Sequence, residues 1–153
     1  MITSLLAGGT YWAWLGTIYL LLLTWQDLRN NMQVDDRRNY FMLGLTVSLY
    51  SRFYYGIIYS LCLLAIVIVV CAFFMRKKVI GAADISTIRW VLLGFGIISP
   101  YLAVGWLVVF AITTSLWLAL RRLMRIPAGK PMPFYPVLLV QFILTCGAFH
   151  LYF

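Results

Sequence analysis

Glutamate is missing from this 153-residue chain, and aspartate occurs only four times, as Asp27, Asp35, Asp36 and Asp84. Charged residues of every kind make up 10% of it, against roughly a quarter in soluble domains. Hydrophobic residues reach 64%, and the mean hydropathy is +0.95. So little charge excludes an ordinary soluble enzyme, a nucleic-acid-binding domain and a disordered tail. The lone histidine, His150, lies far along the chain from any acid and reads as structural or exposed. The three cysteines, Cys62, Cys71 and Cys146, sit in apolar runs with no CxxC and no Cys/His spacing. That pattern supports neither a disulfide framework nor a zinc site, and the three read as small core hydrophobes. No internal repeat, low-complexity tract or domain boundary is visible, so residues 1–153 read as a single membrane-embedded domain.

What the chain has instead is long uncharged runs. A membrane-spanning helix needs about 20 apolar residues, and this pattern predicts an all-α, polytopic membrane protein with six spans. The first covers 1–26, with its apolar body at 11–25. It has no basic n-region and no A-x-A site, which favours a retained helix over a cleaved signal peptide. The stretch from Arg38 to Arg76 is broken only by Arg52 and holds two spans, 39–51 and 53–75, joined by a turn at 51–56. The next run is too long for one helix. Pro100 divides it, because the residue before proline is pushed out of helical geometry, giving spans at 83–98 and 101–120. The last span is 134–153.

The net charge is +8, an excess that in a soluble protein would suggest nucleic acid. Here membrane topology accounts for it. Arg29, Arg37 and Arg38 follow the first span; Arg76, Lys77, Lys78 and Arg89 surround the start of the fourth; Arg121, Arg122, Arg125 and Lys130 follow the fifth. Arg52 alone falls on the other side. Cytoplasmic loops collect Lys and Arg, so loops one, three and five face the cytoplasm and both termini face away from it. The expected partner is the lipid bilayer of the cell membrane, crossed several times, and not nucleic acid. Tyr11, Trp12, Tyr54, Tyr55, Tyr101 and Tyr152 lie near span ends and read as interfacial anchors. Gly94, Gly96 and Gly105 read as helix-packing points, and Gln141 as a hydrogen-bonding group toward another helix or toward substrate.

All four acids fall on the cytoplasmic side. A carboxylate at a membrane boundary is costly unless solvated or paired, so each is a functional candidate; the other reading is a loop residue balancing a nearby Arg. Asp35 and Asp36, beside Arg37 and Arg38, suit that plainer reading. Asp84 closes the run Gly81-Ala82-Ala83-Asp84. Small residues permit close approach of another helix or a substrate backbone, and Gly81 can adopt backbone angles other residues avoid. Asp27 ends the first helix at the same membrane face. Two adjacent carboxyls share a proton, which supplies a general base for water and a general acid for a leaving amine, without metal or cofactor. Arg89, five positions past Asp84, either approaches that carboxylate or snorkels to the headgroups.

These residues resemble the type IV prepilin peptidases, the GxGD-type membrane aspartic proteases that include the archaeal preflagellin peptidases. Asp27 matches the first catalytic Asp of that family. Gln33-Val34-Asp35 stands where the family has a short loop often ending Leu-Pro-Asp or Ile-Pro-Asn, and 39–44 resembles the helix start after it. Asp84, with Gly81, Ala82 and Ala83, matches the GxxD form of the second motif, and Arg76-Lys77-Lys78 precedes it. Pro133-Phe134-Tyr135-Pro136 resembles the Pro-Phe-x-Pro lead-in to the last helix. Ala83 replaces the motif's second Gly, Val34 the loop Pro, and Ser86 a frequent Lys. The cytoplasmic domain with paired CxxC motifs of larger relatives has no counterpart, and N-methylation of the product is not implied. The resemblance implies an aspartic endopeptidase that processes the leader of prepilin-like proteins, with Asp27 and Asp84 as the dyad, and no cofactor or metal. Asp35 or Asp36 would receive the basic leader, with Arg89 as a further candidate contact. The alternative is a non-catalytic membrane protein, either a transporter or assembly component or a degenerate homologue. A proton-coupled transporter would need an acid near mid-bilayer, and there is none.

Overall fold

A computed structural model describes residues 2–29, 37–48, 56–77, 81–127 and 133–152. Every regular element among them is an α-helix: α1 (Ile2–Arg29), α2 (Arg37–Ser48), α3 (Ile57–Lys77), α4 (Ala82–Ile98), α5 (Pro100–Leu123) and α6 (Tyr135–Ala148). The all-α expectation therefore holds. The expected leader contacts Asp35 and Asp36, the loop residue Val34, Arg52, Lys78, Lys130, the anchors Tyr54 and Tyr55, and most of the 51–56 turn lie outside the described residues.

Successive helices run in alternating directions, and α4 is the axle. From Ala83 to Ile98 none of its residues is exposed. α2, α3 and α5 pack directly on it, while α6 bridges α5 and α1. Ile88, Trp90, Leu92 and Phe95 of α4 lose essentially all contact with solvent. Around them Trp12 of α1 stands edge-on to Trp90 and Phe95, with centroids 5.9 Å and 5.3 Å away, and Phe142 of α6 lies 5.3 Å from both Trp12 and Phe95. Offset and edge-on rings are the favoured aromatic contacts.

Three of the glycines explain how such large rings fit. A Cβ on Gly94 would stand 2.1 Å from Trp12 Cζ2, one on Gly96 2.3 Å from Leu63 Cδ1, and one on Gly105 2.8 Å from Phe149 Cε2. The expected packing role of Gly94, Gly96 and Gly105 is thus observed, each against a different neighbour helix or turn. Gln141 also does as expected: its Nε2 donates to Thr113 Oγ1 (2.7 Å) and Thr114 Oγ1 (3.3 Å) on α5.

Trp12 is a correction. It is not an interfacial anchor but 1% exposed, and its indole N–H donates to Thr46 Oγ1 of α2 at 3.0 Å. Trp90, Trp106 and Trp117 are buried as well, whereas Tyr11 and Tyr101 are exposed. Position along the chain could not separate the two groups; the face of the helix did. Cys62 is exposed, unlike Cys71 and Cys146, because it points away from α4.

The sixth helix is shorter than the expected 134–153. It stops at Ala148, and His150 turns into the left-handed region (φ 53°). The Leu151 N–H reaches Cys146 O and the His150 N–H reaches Gly147 O, the paired bonds of a Schellman cap. Arg125 (φ 54°) closes α5 in the same way, through Ile126 N–H to Arg121 O and Arg125 N–H to Arg122 O.

The glycine contacts give a stability test. Gly94→Ala forces Trp12 to move, and overpacking of this kind costs about 1–3 kcal/mol. Gly44→Ala meets nothing within 4 Å and gains helix propensity, up to about 1 kcal/mol. Thermal unfolding in detergent should show Gly94→Ala melting below the parent and Gly44→Ala at or above it.

Candidate active site

The alternation of helix direction brings the C-terminus of α1 and the N-termini of α2, α4 and α6 to one end of the bundle. Asp27 lies in the last two turns of α1 and is 4% exposed. Its carboxylate sits at the start of α6, where Oδ2 accepts the Tyr135 N–H at 3.4 Å and the Phe134 N–H also points at the carboxylate. The local sequence accounts for this. The first N–H groups of a helix have no partner within it. Pro136 has no N–H to offer, and Val137 and Leu138 bond back to Phe134 O. Tyr135 is left with an orphan donor, and Asp27 supplies the acceptor from another helix. The Pro-Phe-x-Pro segment thus builds a carboxylate seat.

Asp84 occupies the third position of α4. Its Oδ2 accepts the Gly81 N–H at 3.1 Å, the reciprocal half of a capping box. Each of the two acids therefore faces the positive end of a helix dipole, Asp84 that of its own helix and Asp27 that of α6. Their carboxyls are close enough to interact electrostatically across the bundle. The two acids singled out from the sequence are thus brought together.

Gly81 is a second correction. Its backbone is extended (φ −70°, ψ 164°), a conformation any residue adopts. A Cβ there would meet only Asp84 Oδ2, at 3.4 Å. The small-residue run matters for its backbone groups: the Gly81 N–H holds Asp84, and the Ala83 carbonyl receives two side chains from the network below.

That network was not foreseen as part of the site. Asn39, 2% exposed on α2, is its centre. Its Oδ1 accepts from Thr87 Oγ1 (3.1 Å), Trp90 Nε1 (3.2 Å) and Tyr19 Oη (3.4 Å). Its Nδ2 donates to Ala83 O at 3.3 Å, one residue before Asp84. Thr87 Oγ1 also lies 3.1 Å from Ala83 O and 3.1 Å from the Tyr135 hydroxyl; with a single proton it donates to one acceptor at a time. The Tyr135 ring, 2% exposed, also feels the charge of Asp84. One signal could have found Thr87: it stands three residues after Asp84, on the same side of the helix. Nothing local marks Asn39, whose partners come from two other helices.

Arg89 does not turn to Asp84. Five residues further on it lies about 140° around the helix, on the side near Cys71 of α3. Arg29, Arg37, Arg38, Arg76, Arg122 and Arg125 are exposed around the same end of the bundle. Among the described residues no group of three or more His, Cys, Asp or Glu side chains could hold a metal ion.

Because Asp27 caps α6, Asp27→Ala strands a buried N–H, at a cost of about 1–2 kcal/mol. Asp27→Asn keeps a carbonyl oxygen for the Tyr135 N–H. Thermal unfolding should place Asp27→Asn nearer the parent than Asp27→Ala, which also makes Asn the right substitution for activity work.

No family model, curated protein or solved structure matches the chain, so a function has to be reasoned from the carboxyl pair and the residues that seat it.

Proposed function

We propose that the chain is a polytopic membrane aspartic endopeptidase that removes the short basic leader from type IV prepilin-like or preflagellin-like proteins at the cytoplasmic face of the cell membrane. The observation that carries this reading is that Asp27 and Asp84, from different helices, are each seated on backbone N–H groups at one end of the bundle.

The membrane part rests on surface chemistry. Outward-facing side chains remain apolar along the bundle: Leu21 and Leu22 on α1, Ile68 and Val69 on α3, Val108 and Ile112 on α5, and Ile143 and Leu144 on α6 are all exposed. A bundle surrounded by water would carry polar residues there. Among the described residues, Pro100–Leu123 is by itself long and apolar enough to cross a membrane, and Ile57–Phe73 and Tyr135–Ala148 are shorter apolar stretches. The arginines collect at the end that holds the acids, which orients that end to the cytoplasm and both termini away from it.

The chemistry needs one ionised and one protonated carboxyl. The ionised member takes a proton from water, and the water oxygen attacks the scissile carbonyl carbon. The protonated member then gives its proton to the amide nitrogen, the C–N bond breaks, and the two acids have exchanged protonation states. Backbone N–H groups at Gly81 and Tyr135 hold the carboxyls in place throughout. A site at the membrane edge suits a substrate whose basic leader is in the cytoplasm and whose apolar helix lies in the bilayer.

The test is cleavage of a prepilin-like protein from the same genome by the parent, Asp27→Asn and Asp84→Asn in membranes at matched expression. Each substitution should lower the rate at least about 100-fold. Cleavage retained in either variant would move the catalytic role elsewhere, and a folded parent that leaves a verified substrate intact would sink the peptidase reading.

A further inference from the structure

We propose that Asn39, Thr87 and Tyr135 are positioning residues that lock the Asp84 turn of α4 against the Asp27 seat on α6, so that the distance between the two acids is set by a hydrogen-bonded junction of four helices. The catalytic use of that junction rests on the peptidase reading; the positioning itself does not.

The connections run in both directions from Tyr135. Its backbone N–H holds Asp27 Oδ2 at 3.4 Å, and its hydroxyl lies 3.1 Å from Thr87 Oγ1, one turn beyond Asp84. Asn39 Nδ2 donates to the Ala83 carbonyl at 3.3 Å, on the residue adjoining Asp84, and Thr87 Oγ1 lies 3.1 Å from the same oxygen. One residue of α6 therefore touches Asp27 through its main chain and the Asp84 turn through its side chain. Asn39 contributes what no residue of α4 can: an amide with an acceptor for Thr87, Trp90 and Tyr19 and a donor for Ala83 O. Asn39, Thr87 and Tyr135 are all buried, where an unmade hydrogen bond is costly and a fully made network is rigid. Helix propensity does not ask for a β-branched threonine or for asparagine inside a helix. Their partners do.

The variants that remove single polar atoms are Thr87→Val and Tyr135→Phe, with Thr87→Ser as the conservative counterpart; Tyr135→Phe keeps the N–H that holds Asp27. Purified in detergent against the prepilin-like substrate, Thr87→Val and Tyr135→Phe should lower kcat about 10-fold or more with KM within about 3-fold, the signature of misplaced catalytic groups. Thr87→Ser should recover most of the loss.

A second readout is independent of cleavage. With four aspartates and no glutamate, infrared spectra of protein carrying carbon-13 aspartate resolve the carboxyl bands, and Asp27→Asn and Asp84→Asn assign them. Both single-atom variants should move the titration of the assigned pair by about half a pH unit or more, with Thr87→Ser close to the parent. Carboxyl titrations unmoved in a folded Tyr135→Phe variant would overturn the proposal, whatever the rates do. If Thr87→Val unfolds, Tyr135→Phe decides alone. A parent that cleaves nothing but whose pair shifts in these variants would refute the peptidase reading and leave the positioning role standing.

Discussion

α4 exposes no residue from Ala83 to Ile98, and this enclosed position governs the rest of the molecule. α2, α3 and α5 cover it directly, and α1 reaches it with Trp12 through the gap left by Gly94. The aromatic group of Trp12, Trp90, Phe95 and Phe142 then fixes the lateral spacing of α1, α4 and α6. Fixing those three helices also fixes the separation of their ends at the polar edge.

At that edge the same burial becomes a liability. The first turns of α4 and α6 carry N–H groups with no partner inside their own helices, and Asp27 and Asn39 sit among them almost without solvent. The structure meets each need from a neighbour: Asp27 caps α6, Asp84 caps its own helix, and Asn39 joins α2 to α4. The charges of Asp27 and Asp84 also repel each other. Beside them the hydrogen bonds of Asn39 tie the Asp84 turn to α2. The proposed acid–base chemistry rests on this edge; near the other, Thr17 pairs with Tyr152 and His150 closes a helix.

Some of this was legible in the residues themselves. The scarcity of charge and the spacing of Ser99-Pro100 located the helices to within a few positions. Asp84 at the end of Gly-Ala-Ala and Asp27 at the end of an apolar run stood out because so few acids compete with them. Trp12 was misplaced because a residue near a span end can face lipid or core, and only the rotation of its helix decides which. Asn39, Thr87 and Tyr135 were not assigned to the site, because each depends on partners from other helices and no short pattern encodes such a meeting.

The residues alone carry the helical character and the clustering of acids and arginines toward one set of loops, and they mark Asp27 and Asp84 as candidates. Those follow from local chemistry: apolar runs form helices, proline ends them, and few charges leave few candidates. That α4 is central, that Asp27 caps a helix more than a hundred residues away, and that an asparagine joins the acid-bearing turn to its neighbours emerge with the packing. Those depend on which faces meet, and that is settled by burial and by hydrogen bonds between helices.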